Sequence, residues 1–396
     1  MAVDVAYLSQ GKLYLKLGEA SVQEVESQFG QTVQERVLQI KKRNSWKDQS
    51  MMAGLFPPEI LQEMERQHFN APPISITSLC RGLDNQLFYA LEVGEVGGIF
   101  QLDQKSNRED RLFHSNDFRV HHLNLHPDGK QMACTTLYNT GVANIAVMPV
   151  DGIRPRDVTE GDSLDLAPRW VPGRERAIVF QSAGIGRDRN GIAREQGAFS
   201  IQMLDFNQKD MVCLVEDPKY DFLGPQMTAD GTLYYIRRPY RPSQRRTSLW
   251  QVIKDIMMMP VRLVYAIFQW LNFFTQRYTG KPLTIAGMPK AVDTQKLVEI
   301  WGNAIDPVQA LQENRKFGDI DAPPLVPRSW QLMRQRPNSQ PEIIAESVLS
   351  YDLNADNVIV YTNGSGIYVL KPGAVPTRIH VSSLIEQVTL VNSNTA

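Results

Sequence analysis

A turn signal recurs along this 396-residue chain, and three consecutive copies of it are evenly spaced. Asp84-Asn85, Asp128-Gly129 and Pro172-Gly173 lie 44 residues apart, and Gln10-Gly11, Asp230-Gly231 and Asp356-Asn357 repeat the signal at wider intervals. These residue types tolerate the positive φ that tight turns need. Each pair is followed by a run with strand character, such as 87–91 or 358–362. The stretch 123–182 holds one whole repeat. After Leu123 and Leu125 come the corner His126-Pro127-Asp128-Gly129, a strand over 131–136 and a second over 143–150. Asp151-Gly152 turns the chain, 156–159 supplies a strand edge, and 168–173 reproduces the corner before the strand 177–182.

Four short strands in about 40 to 45 residues is the period of a propeller blade. The expected fold is therefore all-β with helical insertions: one β-propeller domain over 1–396, with six blades, or five as the alternative. The wider intervals predict blades carrying insertions. In 21–72, Val22, Val25, Phe29, Val33, Val37 and Ile40 recur at helical spacing, and 59–67 reads as a further short helix. Residues 183–197 read as a polar loop between two strands. The largest insertion is 239–327, after which 330–334 resumes the sheet. The run around Ala6 and 13–15 and the C-terminal run 384–391 are predicted to share a blade, which would close the ring and remove open sheet edges.

The corner pattern resembles the TolB-type, WD-repeat-like propeller family, through His126-Pro127-Asp128-Gly129-Lys130, 145–150 and 165–173. The resemblance covers 73–237 best. It departs where Trp170-Val171-Pro172-Gly173 lacks the Asp of the usual corner, and where long insertions split blades. It implies a propeller with interaction surfaces, a fold that serves many unrelated functions.

A net charge of −1 gives the chain no global field toward nucleic acid or an anionic surface, so such attraction must come from local clustering. Cys80, Cys134 and Cys213 are far apart and lie in or beside apolar runs, which predicts reduced core thiols in a reducing compartment. The N-terminus has no basic segment followed by an apolar one, so a cytoplasmic chain is expected.

Charge does cluster in the largest insertion. Between 231 and 292 stand ten basic residues against the single acid Asp255, among them Arg237, Arg238, Arg241, Arg245 and Arg246. Within this zone, 256–274 is interrupted only by Pro260, Arg262, Gln269 and Asn272. Its length approaches that of a membrane span. One crossing would put the later strands on the wrong side of the bilayer, so an in-plane helix fits better. Asp255, Arg262, Gln269 and Gln276 repeat every seven residues as a narrow polar stripe. Met257, Met258, Leu263, Val264, Ile267, Phe268, Trp270, Leu271, Phe273 and Phe274 form the apolar remainder, with Trp250 and Tyr278 suited to an interface. With basic flanks, 250–278 reads as a contact for lipid or for a partner protein. Nucleic acid is not expected, because the aromatic residues do not alternate with the arginines as stacking platforms.

No catalytic residue, metal or cofactor is predicted. His121, His122 and His126 lack a fourth ligand at fixed spacing. Asn363-Gly364-Ser365-Gly366 reads as a hairpin turn, not a nucleophile elbow. Gly184-Ile185-Gly186 has Arg189 in place of the third dinucleotide-loop glycine. Leu164 stands where a calcium loop through Asp162 and Asp165 would need an oxygen ligand. The expected function is a non-enzymatic scaffold among other protein subunits, attached peripherally to the cytoplasmic face of a membrane. An enzyme or ligand-binding protein with a site at the propeller mouth is the alternative.

Overall fold

Asp84 and Asn85, the first of the evenly spaced pairs, take φ of 47° and 65° between two strands. The other corners behave alike: Gln10 and Gly11 at 53° and 73°, Gly129 at 73°, Gly173 at 77°, Gly231 at 82° and Asn357 at 59°. Each is a left-handed turn position that Gly, Asn or Asp fills at least cost.

The computed structural model describes residues 3–52, 71–116, 118–152, 154–208, 210–241, 298–300, 303–305, 319 and 321–391. The chain divides into one unit of 1–242 with 299–396 and a second of 243–298, and the architecture below is that of the first. It opens with β1 (Val5–Ser9), β2 (Lys12–Lys16) and β3 (Gln23–Val25), then α1 (Gln28–Met52). An antiparallel meander follows: β4 (Ile74–Arg81), β5 (Gln86–Val93), β6 (Val96–Asp103) and β7 (Arg108–Asn116). The next comprises β8 (Val120–Leu125), β9 (Gln131–Leu137), β10 (Ala143–Pro149) and β11 (Arg156–Asp157). A third is β12 (Ser163–Trp170), β13 (Ala177–Arg187), β14 (Ala193–Gln196), β15 (Ser200–Asp205) and β16 (Asp210–Val215). A single parallel contact, Ala143 with Leu164, joins the second and third groups into one nine-stranded sheet.

β17 (Tyr220–Met227) and β18 (Leu233–Pro239) come next, then β19 (Val298–Ile300) and β20 (Asn303–Ile305), which form a two-stranded ladder. β21 (Gln331–Gln335) pairs with β18, and β22 (Glu342–Glu346) completes a four-stranded sheet. β23 (Ser350–Leu353), β24 (Ile359–Thr362), β25 (Gly366–Leu370) and β26 (Thr377–Val381) make another. Finally β27 (Ile385–Leu390) pairs antiparallel with β1, giving the order β27-β1-β2-β3. The chain's first and last described strands thus share one sheet.

The apolar core is divided into clusters, each lying between neighbouring groups of strands. Phe88 and Ile99 meet Met132 and Cys134; Ala133 and Ile145 meet Ile178 and Phe180; Ile201 meets Phe222 and Tyr235. Tyr234 and Leu332 meet Tyr351 and Tyr361, Val360 and Ile367 meet Tyr7 and Val388, and Ala6 and Leu13 meet Leu79 and Leu91. Both faces of these sheets are therefore covered, which is why β5 is almost continuously apolar instead of alternating.

Three sequence expectations need correction. Val25 sits in β3, directly after Val22, so the helical insert begins only at Gln28. Ser27 caps α1 by accepting the Gly30 N–H at 3.1 Å, while Phe29 and Val33 pack on the core. Second, 183–197 is not a plain loop: β13 runs on to Arg187 and pairs with β14, with the Asp188 carboxylate accepting the Asn190 and Ile192 N–H groups in the turn. Third, Cys80 and Cys134 are buried but Cys213 is exposed, on the edge strand β16. The expected short helix at 59–67 lies outside the described residues, as does most of the insertion 239–327.

Candidate functional site: the central cavity

The terminal strand of each group, β4, β8, β12, β17, β23 and β27, contributes to the wall of one cavity of about 670 Å³. Five of these strands are bulged at the wall, β27 at Glu386, where the pairing with β1 skips a residue between Leu8 and Ser9. Pairing shifts between Ile76 and Ser78, between His121 and Asn124, between Leu166 and Arg169, and between Leu223 and Gln226. His122, Ala167 and Gly224 take φ of 53°, 53° and 55° within three of the bulges. In two of them the next residue is proline, Pro168 and Pro225, whose missing N–H is no loss where the ladder is already broken. A bulge re-aims side chains and interrupts pairing.

Polar side chains, some of them at these bulges, tie each group of strands to the next. Ser78 Oγ accepts the Leu123 N–H at 2.9 Å, and Asn124 Oδ1 accepts the Trp170 N–H at 2.8 Å. Gln181 Oε1 accepts the Gly224 N–H at 2.7 Å. Gln226 donates to the Tyr351 carbonyl at 3.2 Å, while the Tyr351 hydroxyl donates back to the Gly224 carbonyl at 2.8 Å. Asp352 Oδ2 accepts the Thr389 hydroxyl at 2.6 Å and the Leu390 N–H at 3.0 Å. Gln387 bonds both backbone groups of Leu79.

Burial disfavours the charged forms of the histidines and the carboxyl group in the wall. His121 is pushed down to about 4 by loss of water. His122 falls to about 3 for the same reason, with the charges of His121 and Arg169 adding to it. Burial raises Glu386, although its carboxylate accepts the Gln10 and Gly11 N–H groups. Glu92, 3.5 Å from His121, is likewise raised by burial, so that contact joins a neutral imidazole to a carboxyl that resists ionisation. Arg169 is the wall's permanent charge.

Of the predicted contact residues, the described ones, Arg237, Arg238 and Arg241, do not line this cavity. Trp250, Met257, Met258, Leu263, Val264, Ile267, Phe268, Trp270, Leu271, Phe273, Phe274, Arg245 and Arg246 lie outside the described residues. Arg241 is exposed. Arg237 and Arg238 belong to β18 and do not form a free basic surface. Arg237 bonds Gln331 at 2.7 Å over the Tyr220 ring. Arg238 is buried against Asp221 at 2.9 Å and stacks over Trp330. Among the described residues no helix is long and apolar enough to cross a membrane. His126 packs edge-on against Trp170 and contacts Asp128 at 2.8 Å, a role within its corner. Asp162 pairs with Arg187, and Asp165 accepts the Ser182 hydroxyl.

Sheets arranged side by side, each with one end strand at a shared central cavity, define a β-propeller. No family model matches the chain, and no curated protein does. Among solved structures, TolB from Acinetobacter baumannii superposes with a TM-score of 0.50 at 12% identity, over 98% of this chain and 66% of that one. A nidogen/laminin complex structure gives 0.49 at 8% identity over 99% of both chains. The tricorn protease gives 0.47 at 11% identity, over 98% of this chain and 34% of that one. The chain thus spans about two thirds of the TolB chain. In fold it is a TolB-like β-propeller.

Proposed function

We propose that the chain is a non-enzymatic interaction platform within a multi-subunit assembly. The observation that supports this reading is the engagement of polar side chains on the strands that form the cavity wall. Ser78, Asn124, Gln226, Asp352 and Gln387 each bond the backbone of a neighbouring group of strands. Groups held in this way stabilise a rigid body and are not free to act on a substrate. In this reading the single Ala143–Leu164 contact is a seam between two blades and the proposed ring has six of them, a count supported by the pairing of β27 with β1. The helix-bearing excursion after β3 would add docking surface.

The finer part of the proposal is attachment to the cytoplasmic face of a membrane through 250–278. Its support is the sequence: an apolar helical face with a seven-residue polar stripe and basic flanks. With Arg237 and Arg238 engaged in the sheet, the electrostatic share falls to Arg241, Arg245 and Arg246, each contributing about 1 kcal/mol near an anionic surface.

Two measurements test this. Tagged protein purified at native expression level should carry partner subunits at fixed stoichiometry, and a monomer with measurable hydrolytic turnover would overturn the platform reading. In flotation on anionic vesicles, wild type should rise with the lipid, while a Phe268→Asp, Trp270→Asp, Phe273→Asp variant should stay at the bottom. Equal behaviour of the two rejects membrane attachment and leaves a protein interface.

A further inference from the structure

Arg169 differs from these engaged side chains. It stands on β12 directly after a bulge and lines the cavity. Among the described residues neither a carboxylate nor any hydrogen-bond acceptor is paired with its guanidinium. Glu386, the one carboxylate among the described residues of the wall, is held by the Gln10 and Gly11 N–H groups of the β1–β2 turn. The charge of Arg169 is nonetheless felt across the cavity, at His122 on β8 and Tyr351 on β23. A cation facing a protein interior without a counter-charge is costly unless an anion or water compensates it.

The remaining wall is apolar over much of its extent, with Leu123, Leu164, Leu166, Phe199 and Ile236 facing the same space. At about 670 Å³ the cavity is within the range of small-molecule sites. One guanidinium supplies a planar two-donor fork that matches a single carboxylate. A phosphate dianion would bring a second charge, and the histidines beside Arg169 are held neutral and cannot balance it. We propose that the central cavity binds a small monocarboxylate with an apolar body, its head on the Arg169 guanidinium and its body along the leucine-lined wall.

The test is calorimetric titration of the full-length protein with octanoate at neutral pH, beside octanol and inorganic phosphate. Octanoate is expected to bind one per chain with a Kd below about 1 mM. Arg169→Gln should weaken it by about tenfold or more, since a charge-assisted bond is lost, and Arg169→Lys should fall between. Octanol should bind no better than octanoate does to Arg169→Gln. Because Arg169 makes no bond that holds the fold, Arg169→Gln should keep the wild-type melting temperature. If it does not fold, the histidine ring resonances of labelled wild type decide: octanoate must shift those of His122. Absence of octanoate binding, equal affinity for a folded Arg169→Gln, an unmoved His122 signal, or tighter binding of phosphate would each overturn the assignment.

Discussion

Gln387 and Leu79 are 308 residues apart in sequence, yet one side-chain amide satisfies both backbone groups of the other residue: its Nε2 donates to the Leu79 carbonyl at 2.7 Å, and its Oε1 accepts the Leu79 N–H at 3.1 Å. This couples β27, the end of the chain, to β4, the first strand after the helical insert.

Replacing Gln387 by Ala should leave a backbone donor and acceptor of β4 to whatever water the cavity admits. The expected loss is about 2 kcal/mol. It should appear as a lower urea midpoint with an unchanged slope. A change under about 0.5 kcal/mol would mean that water replaces the amide without cost.

Asp221 accepts the Phe199 N–H at 3.0 Å through one oxygen and the Arg238 Nε–H at 2.9 Å through the other, with both side chains under a tenth exposed. Asp221→Ala strands a buried guanidinium and should cost about 3–5 kcal/mol in chemical denaturation. The paired replacement Asp221→Leu with Arg238→Met should recover much of that, since neither charge is then left alone.

His121 and His122 should make the protein acid-sensitive. Their folded values, about 4 and about 3, lie below the ordinary 6.5 that the unfolded chain regains. Above pH 6.5 both states are neutral and the full stability is present. As pH falls from 6.5 toward 3 the unfolded state takes up protons that the folded state refuses, so stability is lost through that window. Each histidine adds a slope approaching about 1.4 kcal/mol per pH unit. Glu92 and Glu386, raised by burial, act in the opposite sense, so the comparison must be between variants. His122→Asn, which tolerates the positive φ at that position, should flatten the pH dependence of the urea midpoint relative to wild type.

Of the chain's three thiols, only Cys213 should react with a chromogenic disulfide in the native protein. Burial pushes Cys134 up to about 12 and raises Cys80 as well, which removes thiolate along with access. One equivalent before denaturation and three after it are expected, and rapid reaction of a second thiol in the native state would contradict the packing of β4 or β9.

The turns were readable because their chemistry is local. Asp84-Asn85, Asp128-Gly129, Pro172-Gly173, Asp230-Gly231 and Asp356-Asn357 each join the first two strands of a group, and each holds a positive φ. Gln10-Gly11 differs: it joins β1 to β2, the second and third strands of its sheet, since the joint before them is the pairing of β27 with β1. The cavity was not readable in the same way, because its wall is assembled from strands as distant in sequence as β4 and β27, whose Leu79 and Gln387 are 308 residues apart, and depends on bulge positions. One signal of it is local: Leu166-Ala167-Pro168-Arg169 and Leu223-Gly224-Pro225-Gln226 repeat a leucine, a small residue, a proline and a polar residue, and both strings are bulges of the wall. Arg237 and Arg238 misled because a run of basic residues looks the same whether it faces solvent or crosses a strand beside Asp221.

The pairing of Val5 with Leu390 also sets a schedule for biosynthesis. At a translation rate of 5–20 residues per second, roughly 20 to 80 seconds pass between the emergence of β1 and that of its partner strand. Throughout that interval β1 carries a bare row of amides and carbonyls on an apolar strand, able to pair with any passing extended segment. Ribosome-associated holdases should therefore be needed most for the N-terminal strands. A circular permutant that places β27 ahead of β1 would make the same sheet local and free the nascent chain of that wait.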